Sequence, residues 1–244
     1  MLQTTRAIIL LKKPFKENEM LLTTYTEEFG KITFILFGAT SKKAGHRQAF
    51  LQPLSLVEII ADFRPNRDVQ FIKSINIEIP LPELLIDPYK NTTALFLAEF
   101  ANHAIKATLQ DKYLYEFLHN SVQLLDMIDH GQIGNFHIAF LVRLSAFAGL
   151  TPNLGPTTHA ATYFDLGKSE YIRYAGYNPN AIGHFEQDYL RQLLRINYKN
   201  MSRFRVRREE RANLLNKIVD YYKIHIQGFG ELKTLDILHQ IFDY

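Results

Sequence analysis

The sequence of 244 residues contains no cysteine. Cysteine thiolates form disulfides, hold iron–sulfur clusters and many structural zinc ions, and act as nucleophiles in thiol enzymes. The absence of cysteine therefore excludes disulfide bonds, cysteine-ligated zinc, iron–sulfur clusters and thiol catalysis.

A long apolar run is also missing. A helix that spans a bilayer needs about 20 consecutive apolar residues, and no segment approaches that length. The first residues, MLQTTRAIILLKK, lack the basic region and the small-residue cleavage site of a signal peptide. We therefore expect a cytoplasmic protein with no membrane partner.

Signatures of catalysis are missing as well. No Gly-x-Ser-x-Gly elbow or His-Glu-x-x-His motif occurs, and the nine histidines show no metal-binding spacing. Gly228 and Gly230 lack the lysine or third glycine of a phosphate-binding loop. We predict no catalytic residue, no metal and no cofactor, and hence no enzyme. The alternative is a nuclease or other hydrolase that uses scattered Asp and His with a divalent ion.

Positive charge is modest in total but unevenly distributed. The formal net charge is +3 and the isoelectric point is near 8.9, which is mild for a protein held on DNA by charge alone. Residues 29–57, however, contain no acidic residue. The lysine and arginine residues of this window are Lys31, Lys42, Lys43 and Arg47. Because no carboxylate opposes them, we predict that they bind the phosphates of a nucleic acid.

Residues 1–80 show the pattern of a small β domain. Apolar or alternating runs at residues 6–11, 19–26, 31–37, 50–62 and 69–79 predict five strands. Pro14 and the sequence Arg-Pro-Asn-Arg-Asp at residues 64–68 mark turns. Five short strands with a longer connection after the third are typical of a Greek-key barrel of the OB type. A five-stranded SH3-like barrel fits the same pattern.

Pro80, Pro82 and Pro88 predict a boundary between an OB-fold domain at residues 1–80 and a helical domain at residues 81–244. After the boundary, apolar residues recur at helical spacing, and we predict three helices in one antiparallel bundle. Glycines and prolines interrupt residues 151–183, where a hairpin is predicted across Gly167. More helices are predicted near residues 184–200, 208–226 and 231–242. The expected class is α+β, with a five-stranded OB-type barrel followed by an α-helical domain carrying a small cysteine-free hairpin insertion.

The densest positive charge lies between residues 191 and 211. Arg191, Arg195 and Lys199 recur every four residues, which would place them on one face of a helix. Five arginines follow, namely Arg203, Arg205, Arg207, Arg208 and Arg211. We predict that the first four of these bind nucleic acid. The alternatives are a receptor for an acidic peptide and a helix face that is only solvated.

Aromatic residues of the predicted barrel could stack on nucleobases. The candidates are Phe34, Phe37, Phe63 and Phe71. We expect each of them to lie in the core or the wall of the barrel, and we leave them out of the predicted site.

Several motifs occur in a fixed order along the chain. Residues 19–23 read EMLLT and lead into YTEEFGK at residues 25–31, and Gly38 and Ala39 precede the basic loop. LQPLSLVE follows at residues 51–58, AGLTPNL at residues 148–154 and GFGELKTL at residues 228–235. This ordered set resembles the RecO family of bacterial recombination mediators, and the resemblance spans nearly the whole chain.

The resemblance implies an N-terminal OB barrel, a helical domain and an activity without turnover. Family members are expected to bind single- and double-stranded DNA and to anneal complementary strands. With the partner RecR they are expected to help load RecA on strands coated by single-strand-binding protein, whose acidic C-terminal tail is a further partner. An RNA-binding OB module remains an alternative from a different class.

Two positions depart from the family pattern. Many members carry four cysteines for zinc after a Pro-x-Leu turn, whereas here the turn at residues 152–154 is followed by Gly155 and Pro156. We therefore expect this subdomain to hold without metal. Phe37 replaces the lysine that usually precedes the Gly-Ala pair, which places more of the expected phosphate binding on Lys42, Lys43 and Arg47.

Overall fold

A computed structural model describes residues 1–38, 51–107, 110–152 and 163–242, with the backbone alone at residues 184 and 185. The chain divides into two compact units. The first unit contains residues 1–128 and 232–241, and the second contains residues 129–231 together with residue 242. No helix in the described part of the chain is long and apolar enough to cross a bilayer.

The first unit is built on a closed five-stranded barrel. Its strands are β1 (Leu2–Lys16), β2 (Glu19–Thr26), β3 (Gly30–Phe37), β4 (Leu56–Asp62) and β5 (Val69–Ile79). They are ordered β1-β2-β3-β5-β4, and β1 closes on β4. Only the contact between β3 and β5 is parallel. This order confirms the OB-type barrel and decides against the SH3-like alternative.

Alternation along the strands builds the barrel core. In β3, Phe34 and Leu36 are buried, whereas Phe37 is exposed. The core also takes alternate residues from the other strands, including Ala7, Ile9, Leu22, Val57, Ile59 and Ile72. Each of these side chains other than Ala7 contributes about 1.5–3 kcal/mol when it is removed from water. The predicted bounds of β2 and β5 are confirmed, whereas β1 runs through Pro14 to Lys16 and β4 begins only at Leu56.

Seven α-helices lie in the described part of the chain. They are α1 (Pro82–Ile86), α2 (Pro88–Ala104), α3 (Lys112–Met127), α4 (His130–Phe147), α5 (His184–Leu193), α6 (Arg208–His225) and α7 (Leu235–Phe242). The unit division falls between α3 and α4. The prediction of one bundle made from the first three long helices is therefore wrong, because α4 belongs to the second unit.

Aspartate side chains cap the two long helices of the first unit, α2 and α3. The Asp87 side chain accepts hydrogen bonds from the backbone N–H groups of Tyr89 and Lys90 at the start of α2, and Asp111 does the same for α3. Such caps satisfy amides that have no partner within the helix. Glu99 of α2 accepts hydrogen bonds from the backbone of Lys233 and Thr234, which fixes the start of α7 within the first unit.

The second unit is organised around α4. In this unit α4 contacts α5, α6 and a 3₁₀ turn at Met201–Arg203. Strands β6 (Tyr163–Asp165) and β7 (Glu170–Ile172) form the predicted antiparallel hairpin. A short strand that was not predicted, β8 (Ala181–Ile182), pairs with β6 on its other side.

Candidate nucleic-acid interface

Three of the predicted phosphate-binding residues, Lys42, Lys43 and Arg47, lie outside the described residues. The chain leaves the barrel at the end of β3, where the backbone N–H of Gly38 donates to the carbonyl of Asn18 at 2.8 Å. It is described again from Leu51, whose side chain is buried. The role of the three cations stays a prediction.

Lys31 lies at the opposite end of β3 from Phe37 and is already engaged. Its ammonium donates to the backbone carbonyl of Ile105 at 3.1 Å and also to that of Asn102. Both carbonyls belong to the last turn of α2 and its cap, where carbonyl groups lack partners within the helix. Burial lowers the pKa of Lys31, yet the negative end of the helix favours its cationic form. Because this position joins strand to helix, we leave Lys31 out of the DNA surface proposed below.

Four arginines from the end of the 3₁₀ turn onward form an exposed row in the second unit, which we call the arginine row. Arg203, Arg205, Arg207 and Arg208 are all exposed, whereas Met201, which precedes them, and Phe204 are buried. The backbone is extended at Phe204 and Arg207. Successive side chains of an extended segment point to opposite sides. The apolar residues of this segment are therefore buried, and its arginines face the solvent.

Asn135 of α4 holds this segment in place. The side-chain amide of Asn135 donates to the carbonyls of Met201 at 2.9 Å and Phe204 at 2.7 Å. The Asn135 side chain is itself buried, so these bonds form where water does not compete. Asn135 was not predicted, since a single polar residue inside a helix gives no local signal of a contact 66 residues away.

Arg211 supports the row from the inside. Its guanidinium donates weakly to the carbonyl of Val206 at 3.4 Å, and it lies over Gly134, where an added Cβ would come within 2.8 Å of Arg211 Nη1. Burial, together with the charge of Arg208, lowers the pKa of Arg211. Arg211 is therefore a structural cation, unlike Arg203, Arg205 and Arg207.

The predicted helical face of Arg191, Arg195 and Lys199 does not form. Helix α5 ends at Leu193, and the side chains of Asn197 and Asn200 then accept hydrogen bonds from nearby backbone N–H groups in a tight turn. Such short amide side chains compete with helical hydrogen bonding. Arg191 is also occupied, because it donates to Asp188 at 2.8 Å and to the Tyr171 hydroxyl at 2.7 Å.

Hydrogen bonds centred on Asp165 hold the cysteine-free hairpin. One carboxylate oxygen of Asp165 accepts from the backbone N–H groups of Gly167 at 2.8 Å and Lys168 at 3.1 Å. The other oxygen accepts from the Asn178 side chain at 2.9 Å. Burial alone would raise the pKa of Asp165, but the hydrogen bonds from Lys168, Asn178 and Gly167 outweigh it and place the pKa below its ordinary value. With no cysteine, the chain cannot form a four-cysteine zinc site here.

Across the described ranges, no group of three or more His, Asp or Glu side chains is placed to hold a metal ion.

The expectation for the aromatic residues is only partly correct. Phe34 is a core residue, and Phe63 and Phe71 are half-buried. Phe37, by contrast, is 53% exposed and stacks on Phe71 with 5.7 Å between the ring centroids. The exposure of Phe37 was not predicted, because alternation along β3 does not show what covers either face.

Comparison with known proteins gives a consistent result. The family model described as recombination protein O N terminal matches residues 1–79, and that described as recombination protein O C terminal matches residues 86–236. The chain is 37% identical over 244 residues to the DNA repair protein RecO of Bacteroides fragilis. It is 34% identical over 243 residues to that of Azobacteroides pseudotrichonymphae. Both alignments cover 100% of this chain and 100% of the relative.

Proposed function

The chain belongs to the RecO family of DNA repair proteins, and from this premise we propose that it is a recombination mediator that anneals complementary DNA strands. In this proposal it binds single- and double-stranded DNA in the cytoplasm and neither makes nor breaks a covalent bond. With RecR it helps to load RecA on strands coated by single-strand-binding protein.

The observation that carries the proposal is the exposed arginine row of the second unit, in a chain whose first unit is an OB-type barrel. An annealing protein has to hold two polyanions at once, and each needs its own cations. The barrel supplies one surface, with Lys42, Lys43 and Arg47 as its proposed phosphate ligands. Arg203, Arg205, Arg207 and Arg208 supply the second, since their side chains are exposed on a segment that Asn135 holds.

Phosphate contacts of this kind carry no sequence information. Guanidinium and ammonium groups bind phosphate oxygens whatever the base, so we propose that the protein anneals any complementary pair. The affinity should fall steeply with salt, because each neutralised phosphate releases condensed counterions.

Partner docking is the second part of the proposal. The tail of single-strand-binding protein is acidic and ends in an apolar residue, so its receptor needs a cation beside an apolar surface. Docking on the tail would bring the two DNA-binding surfaces to strands that are already coated. We propose RecR as a second protein partner on the strength of family membership.

The proposal is tested by an annealing assay with strands coated by single-strand-binding protein that carries or lacks its tail. We expect annealing in the presence of a metal chelator, at a higher rate when the tail is present. Metal-dependent loss of the labelled strand would instead identify a hydrolase. Stronger binding to RNA than to DNA strands in competition would identify an RNA-binding module.

A further inference from the structure

The outer face of β3 and β5 carries a stacked aromatic pair, in which Phe37 is exposed and Phe71 is half-buried, beside an arginine. Phe37 is the last residue of β3, and Phe71 lies on the neighbouring strand β5. Their rings stack at 5.7 Å with an angle of 24° between the planes. The guanidinium carbon of Arg67 lies 5.2 Å from the centroid of the Phe71 ring. We name Phe37, Phe71 and Arg67 the aromatic platform.

The register of the strands explains why the platform faces outward. Ile35 of β3 pairs with Phe71 of β5 in the parallel ladder, and Phe37 lies two residues further along β3. Residues two apart share one face of a strand. Phe34 and Leu36, on the other face, are buried in the barrel core. The platform therefore belongs to the outer face of the sheet.

A buried glutamine holds the loop that carries Arg67. The side-chain amide of Gln70 donates to the carbonyls of Arg64 at 2.8 Å and Arg67 at 2.7 Å, and its oxygen accepts from the backbone N–H of Arg64 at 2.9 Å. The Gln70 side chain is only 2% exposed. All of its polar atoms are thus used within the loop between β4 and β5. Gln70 therefore fixes the backbone at Arg67.

Charge near the platform suits an anionic ligand. Lys73 follows Phe71 by two residues along β5 and is exposed. Two acidic residues pair with the platform, Glu19 with Phe37 across β2 and β3 and Asp62 with Phe71 across β4 and β5. The Glu19 carboxylate lies 3.8 Å from the ammonium of Lys16. The Asp62 carboxylate lies 3.0 Å from the N-terminal amine and 3.2 Å from Arg64 Nε, so cations offset both charges.

We propose that the aromatic platform stacks unpaired nucleobases and so makes the barrel prefer single-stranded DNA over duplex. The inference rests on the proposed function, because it takes DNA as the ligand of the barrel. Every nucleobase has a π face, so stacking on phenylalanine is tolerant of sequence. In a duplex these faces are covered by neighbouring base pairs, whereas a single strand can present them. Phosphate-binding cations alone would not produce this preference.

The test compares two strands that differ only in their bases. One is an oligothymidylate of about 16 nucleotides, which is at the upper end of the site size of one OB fold. The other is an abasic strand of equal length, which keeps the phosphates. For Phe37→Ala in the full chain we expect a loss of affinity for oligothymidylate of roughly fivefold to a hundredfold. Affinity for the abasic strand should change by less than about twofold, since its contacts are to phosphate.

Phe37→Leu separates stacking from simple apolar contact. Leucine keeps much of the apolar area but has no π face, so it should lose affinity for oligothymidylate as Phe37→Ala does. If Phe37→Leu binds like the wild type, the stacking inference is wrong. Because Phe37 is exposed, both variants should unfold at nearly the wild-type temperature.

A spectroscopic readout follows from the absence of tryptophan in the sequence. Phe37→Trp introduces a single indole, whose fluorescence should be quenched by oligothymidylate and not by the abasic strand. The matched control is Tyr113→Trp in α3, where the native side chain is 75% exposed. Tyr113 is two residues from Asp111, whose carbonyl accepts a hydrogen bond from the Tyr25 hydroxyl at 3.3 Å. Tyr25 lies at the end of the β2 and β3 hairpin that is remote from Phe37. The fluorescence of Tyr113→Trp should respond little to either strand.

The outcomes distinguish this inference from the proposed function. If the wild type binds oligothymidylate and the abasic strand equally, and Phe37→Ala changes neither affinity, the platform is overturned while DNA binding stands. If the wild type binds neither strand nor duplex DNA, both proposals fail. Equal losses on both strands in Phe37→Ala would also overturn stacking, because the effect would not depend on bases.

Discussion

The ammonium of Lys31 on β3 donates a hydrogen bond to the backbone carbonyl of Ile105, 3.1 Å away, at the end of α2. The two residues are 74 positions apart in the sequence. A cation that sequence charge alone would assign to DNA thus satisfies the carbonyl end of a helix. Within the first unit, it joins the barrel to its first long helix.

Replacement of Lys31 should therefore affect stability more than DNA binding. We expect Lys31→Met to lower the free energy of unfolding by about 1–2 kcal/mol, because two carbonyls lose a charged donor. The slope of log affinity for single-stranded DNA against log salt should stay unchanged. Lys73→Ala on the same barrel is the control, and it should leave stability unchanged. A reduced salt slope in Lys31→Met, with normal stability, would show instead that Lys31 contacts DNA.

The cations between β3 and β4 should behave in the opposite way. Changing Lys42, Lys43 and Arg47 together to alanine should weaken single-strand binding and reduce the salt slope by up to about three units, near one for each lost phosphate contact. Titrations at several salt concentrations measure both quantities. Unchanged binding at low and high salt would reject this loop as a DNA ligand.

The arginine row of the second unit should make its own contribution to the salt dependence of DNA binding. We expect Arg203→Ala, Arg205→Ala and Arg207→Ala combined to slow strand annealing and to reduce the salt slope for duplex binding by about two to three units. Stability should change little, because these side chains are exposed. Arg191→Ala is the matched control, since Arg191 is held by Asp188 and Tyr171. An equal effect of Arg191→Ala on annealing would contradict the assignment.

Local patterns in the sequence predicted the barrel well and the contacts around it poorly. Strands β2 and β5 have their predicted bounds because alternation and turn residues are local properties. The partners of Lys31 and Asn135 are far away in the sequence, so no window around either residue could have indicated them. Alternation assigned Phe37 to a face of β3, but exposure depends on what else covers that face.

Other features that were not predicted do have a local signal in the sequence. Asn197 and Asn200 are three residues apart, which is a pattern that favours a turn and ends α5 before Lys199. Asp165 stands two residues before Gly167, which is the spacing of a turn closed by a carboxylate. The cations of residues 191–199 recur at a helical spacing, but these asparagines end the helix before the spacing can place them on one face.

The pairing of Asp165 with Asn178 can be tested by exchange of the two side chains. Asp165→Asn places a side-chain N–H group against the N–H donor of Asn178. We expect it to lower the free energy of unfolding by about 1–3 kcal/mol, as for a buried donor without an acceptor. Asn178→Asp sets two carboxylates together and should also destabilise the unit. The double variant restores one acceptor and one donor, so it should recover part of the loss in a double-mutant cycle. Additive losses would show that the pair is not coupled.

Acid should weaken the same hairpin through Asp165. Its pKa in the folded protein lies below the ordinary value, and that of an unfolded aspartate is about 3.9. The carboxylate therefore contributes stability at pH values above the unfolded pKa, and this contribution disappears as the pH falls through the folded pKa. Hydrogen exchange of the Gly167 and Lys168 amides, which donate to Asp165, should accelerate below about pH 4 relative to amides in the barrel, beyond the intrinsic pH dependence. In Asp165→Asn this acid-dependent difference should be absent, and its persistence there would assign the acid sensitivity to another carboxylate.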